Sequence, residues 1–334
     1  MKNKLHPKVS VVILNYNGLP FLKGCLKTVR SQTYKNIEII VVDNNSTDGS
    51  QRYVRRQSDV VLIENPENYG YARANNIGVK KATGEFVLIL NNDTELNPNT
   101  IEELVNCYEE KSILSPLQLN LKNKHKREVL CLGMGVDIFG YPYDIKLNPN
   151  KIFYADGAAI FMKKKDFVKI GGFDEKLFIF FEDTDLSWRA RLYGYQIKQC
   201  ITSVVYHYGG GYLEYGENKK NYVTSKFRRY QNEKNAIRNI IKNYSIPLVI
   251  PLLLILFPIH LFEILFLIIT GNRTVVKCYY DAYLWNIKNI DDTLKFRRNV
   301  QSKRSVSDLE ILKSMSLFYQ KLLALIKYGT PEFK

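Results

Sequence analysis

The sequence is poor in the features that mark secreted, disulfide-rich or zinc-binding proteins. Its 334 residues contain five cysteines, an odd number with no Cys-x-x-Cys pair. This pattern argues against a disulfide framework or a zinc site and favours a reducing compartment. The polar, basic N-terminus leads into an apolar run at residues 9–14 that is too short for the core of a signal peptide. We therefore do not expect secretion.

Glycine-rich nucleotide motifs are also lacking. Neither Gly-x-Gly-x-x-Gly nor Gly-x-x-x-x-Gly-Lys-Ser/Thr occurs, so the sequence does not support a dinucleotide site or a phosphate-binding P-loop. A bound nucleotide would need carboxylates and amides to hold its base and ribose, and a metal ion to neutralise its diphosphate.

Acidic residues are scarce in the last third of the chain. The formal net charge is +15, and residues 216–334 carry +11 of it, with 20 Lys/Arg against 9 Asp/Glu. A basic chain commonly binds nucleic acid. Here, however, the basic residues flank a long apolar run, residues 246–269, which favours an anionic membrane surface. We therefore predict a membrane partner and no nucleic acid.

The apolar run spans 24 residues, which is long enough to cross a membrane once. Three features count against a simple span: prolines interrupt the run, His260 and Glu263 lie inside it, and basic residues flank both ends. An interfacial or re-entrant arrangement fits these features better. A buried helix of a soluble domain is the remaining alternative, and it would need a large apolar partner surface.

Strands and helices alternate through the first hundred residues. Apolar runs at residues 9–14, 37–42, 60–63 and 86–90 predict strands, and helical spacing of apolar residues between them predicts helices. This alternation indicates an α/β fold with a parallel sheet, right-handed crossovers and helices on both faces.

Three polar clusters directly follow predicted strands, at residues 15–17, 43–46 and 91–93. Each cluster by itself is equally compatible with a turn or a helix cap. Because parallel strands end at one edge of a sheet, and ligands bind there, the three together predict a ligand site.

The sequence resembles the inverting family-2 glycosyltransferases with a GT-A fold, and among them the rhamnosyltransferase-like branch. The resemblance covers about two-thirds of the chain and keeps the family's motif order. It is carried by residues 9–17, 42–50, 68–75, 90–93, 157–158, 171–175 and 182–186, and by His207. It implies a mostly parallel central sheet flanked by helices over residues 1–215. Residues 216–334 would then form a basic helical region that contains the membrane-associated segment.

The resemblance also implies roles for single residues. Asp93 and His207 would hold a divalent metal, Mn²⁺ or Mg²⁺, and an imidazole ligand favours Mn²⁺. The sequence departs from the family's Asp-x-Asp motif, because Asn91 stands where the first acid is expected. The residues implied to bind the nucleotide sugar are Asn15, Asn17, Asp43, Asn45, Asn68, Arg73, Asn75, Asn92 and Gly157.

Asp183 is the general base that the resemblance implies. Carboxylates in the first turn of a helix are also favoured by the helix dipole alone, which lowers their pKa. Repulsion from Glu182 and Asp185 raises the pKa of Asp183 instead. The nearby Trp188 and Arg189 fit a core residue and an ion pair as well as they fit a site.

Together these observations predict a metal-dependent inverting glycosyltransferase at the cytoplasmic face of a membrane. Its donor would be a UDP- or dTDP-sugar, and its acceptor a lipid-linked or cell-surface glycan. The first alternative is an inactive nucleotide-sugar-binding or scaffold protein at the membrane. The second is a nucleotidyltransferase, for which the sequence lacks a Gly/Lys-rich phosphate loop.

Overall fold

The computed structural model describes residues 6–131, 133–145, 152–209, 214–215 and 222–333. The chain divides into two compact units. The first unit comprises Met1–Met134, Asp144–Ala190 and Tyr195–Gly209, and the second comprises Gly135–Tyr143, Arg191–Gly194 and Gly210–Lys334. The predicted boundary between residues 215 and 216 adjoins a stretch outside the described residues, so the predicted division stays a prediction.

The strands are β1 (Val9–Asn15), β2 (Ile37–Asp43), β3 (Val60–Glu64), β4 (Phe86–Asn91), β5 (Thr94–Leu96), β6 (Ser112–Asn120), β7 (Val129–Cys131), β8 (Met134–Val136), β9 (Pro142–Asp144), β10 (Ala159–Lys163), β11 (Gln196–His207), β12 (Glu214–Tyr215), β13 (Tyr222–Thr224) and β14 (Glu332–Phe333). The helices are α1 (Leu19–Arg30), α2 (Ser50–Val54), α3 (Gly70–Lys81), α4 (Thr100–Cys107), α5 (Lys164–Ile170), α6 (Glu182–Leu192), α7 (Lys226–Asn243), α8 (Ile246–Ile269), α9 (Arg273–Lys288), α10 (Ile290–Ser302), α11 (Asp308–Leu312) and α12 (Gln320–Tyr328). Short 3₁₀ turns occupy Lys124–Lys126 and Glu175–Leu177.

The central sheet of the first unit has the strand order β3-β2-β1-β4-β10-β6-β11-β5, with β7 paired to β6. Strands β3, β2, β1 and β4 are parallel, as the β-α alternation predicts. Strand β10 is antiparallel to β4 and β6, whereas β11 is parallel to β6. The sheet is therefore mixed, and its parallel part is the half that the alternation predicted.

The antiparallel β10 decides which residues reach the functional edge of the sheet. Its first residue, Ala159, lies opposite Leu90 near the end of β4. The residues just before β10 therefore lie at the edge where β1, β2 and β4 end. His207, the last residue of β11, lies opposite Asn120 of β6 and Thr94 of β5 and reaches the same edge.

The apolar runs become central strands because both faces of the sheet are covered. The β1 residues Val11 and Ile13 on one face, and Val12 on the other, are completely buried. Helix α1 packs its buried residues Leu22, Cys25, Leu26 and Val29 into the core formed with these strands. Full burial of one such aliphatic side chain contributes about 1.5–3 kcal/mol. Packing thus holds the strand ends in place.

The scattered cysteines argue against a disulfide framework, and the described residues contain a single disulfide that the sequence did not predict. It joins Cys107 at the end of α4 to Cys200 in β11, whose Cα atoms lie 6.2 Å apart. Tyr141 is 3% exposed and its hydroxyl donates to Glu233, while the next three residues form β9.

Helix α8 of the second unit runs unbroken for 24 residues. Pro247 lies in its first turn, while Pro251 and Pro258 lie inside it without ending it. A re-entrant helical pair would need a break in this helix, and α8 has none, so the structure does not support the re-entrant alternative. Length and composition would allow α8 to cross a membrane, which is weak evidence by itself.

Candidate active site

The predicted polar clusters meet where β1, β2 and β4 end. In the strand register Asn15 lies opposite Asp43, and Leu14 lies opposite Asn91. Hydrogen bonds then join all three loops, because Asn15 Nδ2 donates to Asp43 Oδ2 at 2.8 Å and Asn92 Nδ2 donates to Asn15 Oδ1 at 2.7 Å. Asn15 and Asp43 are buried.

Asp43 is held by several donors. Its Oδ1 accepts from the Ser46 backbone N–H and from Gln51 Nε2, both at 2.8 Å, in addition to the Asn15 bond to Oδ2. A carboxylate has about four acceptor positions. The described contacts therefore leave room for one further donor, such as a ribose hydroxyl or a base N–H.

Asn17 and Asn45 shape the two loops beside Asp43. Both have left-handed backbones, with φ of 49° and 65°, a conformation that asparagine tolerates better than most residues. Asn17 Oδ1 accepts from the Thr47 backbone N–H at 2.8 Å, and the Asn17 N–H donates to Ser46 Oγ at 2.9 Å. Asn45 is exposed.

The remaining predicted donor-binding residues lie around the start of α3. Asn68 Oδ1 accepts from the Gly70 N–H at 2.9 Å. The Arg73 guanidinium lies 3.6 Å above the Tyr69 ring and stays 46% exposed. Asn75 is fully buried within the helix, where its Nδ2 donates to the backbone oxygen of the residue four positions earlier. Their described contacts do not include Asp43 or Asp93.

Asp93 and His207 face each other across the edge of the sheet. Asp93 Oδ1 lies 3.3 Å from His207 Nε2, and the Asp93 carbonyl accepts from the Tyr208 N–H at 3.0 Å, which ties the turn after β4 to β11. On the other side of the imidazole, Nδ1 lies 3.3 Å from Gln118 Oε1. Gln118 Nε2 in turn donates to Asp156 Oδ1 at 2.9 Å.

This chain of contacts sets the tautomer of His207. An ionised carboxylate only accepts hydrogen bonds, so the Gln118 amide must direct its NH₂ group at Asp156. Its carbonyl oxygen then faces His207, and Nδ1 must carry the proton. In the neutral imidazole the Nε2 lone pair therefore faces Asp93.

Two acceptors 3.3 Å apart fit a site for a cation. In the protein alone a proton can fill this position. Burial would lower the pKa of His207, but the hydrogen bond with Asp93 and the charge of Asp93 raise it. Carboxylate oxygen and imidazole nitrogen also suit Mn²⁺. No group of three or more His, Cys, Asp or Glu ligands occurs among the described residues. Phosphate oxygens and water would therefore complete the shell of such an ion.

Asp183 lies in the first turn of helix α6 and is held against the loop before β10. Its Oδ2 accepts from the Gly157 N–H at 2.9 Å, and its Oδ1 accepts from the Thr184 N–H at 2.7 Å. Burial and the charge of Asp156 raise the pKa of Asp183 to about 7, although both hydrogen bonds oppose this shift. Burial also raises the pKa of Glu182 well above its usual range. Asp183 thus has the pKa of an effective general base.

The backbone around Asp183 is strained and crowded. Phe180 and Phe181 both have a φ of 67°, a left-handed conformation that costs about 1–2 kcal/mol per residue. Gly157 accepts a 2.5 Å hydrogen bond from the Tyr71 hydroxyl. A Cβ atom on Gly157 would lie 3.3 Å from both this hydroxyl and Asp183 Oδ2. The loop therefore holds the Asp183 carboxylate in one place.

Gln118, Asp156 and Tyr71 have no predicted role in the sequence. Asp156 directly precedes the Gly157-Ala158 motif, and this position could have pointed to Asp156 in the sequence. Gln118 lies inside β6 and has no such feature. Arg189, in contrast, is part of the core: its Nε donates to Asp185 at 2.9 Å, and its other nitrogens donate to the backbone oxygens of Ile170 and Gly172.

Comparisons with known proteins match these features. Residues 10–171 match the model of the family described as Glycosyl transferase family 2. An uncharacterized glycosyltransferase of Rickettsia prowazekii is 30% identical over 53% of this chain and 57% of its own length. The low-salt glycan biosynthesis hexosyltransferase Agl10 of Haloferax volcanii is 27% identical over 58% of this chain and 64% of its own length. The chain thus spans less than two-thirds of either relative.

Two solved structures share the fold. The structure of GalNAc-T7 with UDP, GalNAc and Mn²⁺ has a TM-score of 0.56 and 19% identity, and covers 71% of this chain and 48% of that one. The mannosyltransferase PcManGT of Pyrobaculum calidifontis, with GDP-Man and Mn²⁺, has a TM-score of 0.52 and 18% identity, and covers 90% of this chain and 86% of that one. The predicted GT-A fold is confirmed.

Proposed function

We propose that this chain, whose residues 10–171 match the model of glycosyltransferase family 2, is a member of that family and transfers a hexose from a nucleotide-diphosphate donor to a hydroxyl group of a glycan, with inversion at the anomeric carbon. One observation carries the proposal. A carboxylate with a pKa of about 7, Asp183, shares the same edge of the sheet with the Asp93–His207 pair, and Asp156 acts on both.

The nucleotide would occupy the loops after β1 and β2. Asp43 offers its remaining acceptor position to the ribose or the base, while Asn15 and Asn92 hold that carboxylate and its neighbouring loop in place. Asn17 and Asn45 form the wall of the pocket. Asn68, Arg73 and Asn75 would contact the sugar or diphosphate, and the exposed guanidinium of Arg73 is the member of this group best able to do so.

Asp93 and His207 would hold Mn²⁺ or Mg²⁺. The ion would neutralise the charge that develops on the departing diphosphate. Asn91 supplies no carboxylate in this proposal, so the ion would have two protein ligands and the phosphate oxygens of the donor.

Asp183 would accept the proton of the acceptor hydroxyl. The acceptor oxygen then attacks the anomeric carbon from the face opposite the diphosphate. The bond to the diphosphate breaks, and a nucleoside diphosphate leaves. Gly157 brings its backbone N–H to Asp183 and would also allow the donor sugar to approach closely.

The acceptor would be a lipid-linked or cell-surface glycan reached from the cytoplasmic face of the membrane. Support comes from the basic residues of the C-terminal region and from the apolar helix α8. An inactive nucleotide-sugar-binding protein at the membrane is the alternative that Asn91 favours, and the raised pKa of Asp183 opposes it.

A donor screen tests the proposal. UDP- and dTDP-sugars are incubated with Mn²⁺, with and without a membrane extract, and release of nucleoside diphosphate is measured for the wild type and Asp183→Asn. We expect release by the wild type, stimulated by the extract, and almost none by the variant. Donor binding without turnover would support the inactive binding protein, and release of pyrophosphate would indicate a nucleotidyltransferase.

A further inference from the structure

Helix α8 of the second unit has two different faces. Its buried residues recur every three to seven positions and form one stripe: Val249, Leu252, Leu256, His260 and Leu267. Most of its other residues are apolar and exposed, with Leu254 69%, Phe262 65% and Ile269 83% accessible. Monomeric proteins rarely leave such a continuous apolar surface in water. This surface needs an occupant.

The polar residues of α8 do not contribute to the exposed face. His260 Nδ1 lies 3.0 Å from the Tyr283 hydroxyl, and its Nε2 lies 3.2 Å from Glu233 Oε2. Glu263 accepts from the hydroxyls of Tyr279 and Tyr319, at 2.7 and 2.9 Å. Both ionisable groups are therefore satisfied inside the second unit, and they leave an exposed face that is free of charge.

Helix α9 runs antiparallel alongside the C-terminal half of α8. The ring of Tyr279 lies 5.2 Å from that of His260, and four residues later the ring of Tyr283 lies 5.8 Å from that of Phe257. Earlier in α9, Val275 packs in one cluster with Leu267. The two helices therefore lie side by side along the C-terminal half of α8.

This pairing decides how α8 meets a bilayer. Helix α9 carries four charged residues, namely Arg273, Lys277, Asp281 and Lys288. If α8 crossed the bilayer, α9 would carry some of these charges into the hydrocarbon, where such residues are strongly disfavoured. If α8 lies in the membrane plane, its apolar face meets the acyl chains while α9 stays in the headgroup or water layer.

Helix α12 provides a second apolar surface next to α8. It begins beside Glu263, because Tyr319 and Lys321 both donate to that carboxylate. None of its nine residues is buried, and Ile326 is 73% exposed. The two residues before Tyr319, Leu317 and Phe318, are 72% and 73% exposed.

We propose that the exposed faces of α8 and α12, with Leu317 and Phe318, form one docking face that inserts in the plane of an anionic phospholipid bilayer without crossing it. The inference deepens the membrane association in the proposed function. The charge of the region identifies the occupant, because residues 216–334 carry +11 and Lys277 and Lys327 are exposed. Acidic phospholipids complement that charge.

Vesicle sedimentation of the full chain tests the docking face. The vesicles are phosphatidylcholine with or without phosphatidylglycerol. The variants are Leu254→Glu with Leu265→Glu in α8, and Leu323→Glu with Ile326→Glu in α12. Val168→Glu with Ile201→Glu, two exposed residues of the first unit, is the matched control. None of these side chains is buried, so each variant is expected to fold.

We expect the wild type and the control to bind vesicles with phosphatidylglycerol, and each α8 or α12 variant to bind them at least about tenfold more weakly. Equal binding by all proteins would overturn the proposal. A second result would also overturn it: the wild type forms a dimer in solution and does not bind vesicles, and the α8 variants are monomers. The exposed face would then join two copies of the chain. Donor turnover in detergent should be the same for all variants, so failure here leaves the proposed chemistry standing.

A depth measurement separates docking from crossing. One tryptophan at a time replaces Ile250, Phe257 or Leu265 in a Trp285→Phe background, and lipids brominated at different acyl positions quench its fluorescence. The background protein, which keeps only the completely buried Trp188, gives the baseline to subtract. Ile250 and Leu265 are about 22 Å apart along the helix axis. An in-plane helix gives three equally shallow depths. A crossing helix makes Phe257 clearly the deepest, and that result would overturn the proposal.

Discussion

Gln118 Oε1 accepts a hydrogen bond from Nδ1 of His207, with the two atoms 3.3 Å apart. The contact exists because the two strands are in register: Gln118 lies opposite Val205, and His207 follows two residues later on the same face. Asp156 fixes the Gln118 amide from the other side. Through this pair of contacts the position of one buried amide decides which nitrogen His207 presents to Asp93.

Replacing Gln118 should weaken metal binding without removing a ligand. Gln118→Met keeps the length of the side chain but cannot hold the imidazole, so we expect Mn²⁺ affinity to fall about 10–100-fold. Binding is measured by electron paramagnetic resonance, and the tautomer of His207 by ¹⁵N nuclear magnetic resonance. Gln199→Met in β11 is the control. Unchanged affinity and an unchanged tautomer in Gln118→Met would contradict the role of this amide.

Asp93→Ala should abolish Mn²⁺ binding and donor turnover together. The variant leaves His207 as the one described protein ligand, which is too few to hold the ion beside a diphosphate. EDTA should have the same effect on the wild type, and added Mn²⁺ should restore activity only to the wild type. Turnover that is indifferent to both EDTA and Asp93→Ala would exclude the metal-dependent mechanism.

Asp156→Asn should move the pH dependence of the reaction. The charge of Asp156 helps to raise the pKa of Asp183 to about 7. Below that pH the base is protonated and inactive, so activity falls as pH falls through 7. Without the charge the pKa of Asp183 drops, and the acidic limb of the kcat profile shifts to lower pH. The control is Asp166→Asn. Asp166 is a buried acid of α5 that accepts a hydrogen bond from the Tyr195 hydroxyl, and its replacement should leave the pH profile unchanged.

Thiol titration checks the disulfide. Cys25, Cys131 and Cys278 are free and buried, and Cys107 is joined to Cys200. The oxidised, denatured protein should therefore react with three equivalents of thiol reagent, and with five after reduction. Five equivalents without a reductant would show that the two cysteines are adjacent but unjoined.

The parallel half of the sheet was predictable because its strands are short apolar runs that each end in polar residues. The second half was not, since β10 and β11 owe their direction and pairing to tertiary contacts. Strand β11, for example, begins at Gln196, and its first half contains Lys198 and Gln199 instead of a continuous apolar run. The cysteine pair was missed for the same reason: 93 residues separate two positions that neighbouring elements bring together.

The candidate site was predictable where motifs carry it. Asp43, Asp93, Asp183 and His207 lie at strand ends or helix starts, where a motif comparison finds them. Gln118 and Asp156 were missed because their role comes from facing two of those residues across β6 and the loop before β10. The direction in which the pKa of Asp183 shifts was also open. The helix dipole lowers this pKa and burial raises it, and only the structure shows how deeply the carboxyl group is buried.

The rate of nucleoside diphosphate release by the wild type and Asp183→Asn, measured across pH with donor and acceptor present, tests the central claim most directly. General base catalysis contributes about 10²–10⁴-fold. The wild-type rate should rise as pH passes through about 7, where Asp183 loses its proton. The Asp183→Asn rate should be lower by about that factor at neutral pH while donor affinity is unchanged. A variant that keeps the wild-type rate, or that loses donor binding in proportion to activity, would contradict the assignment of Asp183 as the base.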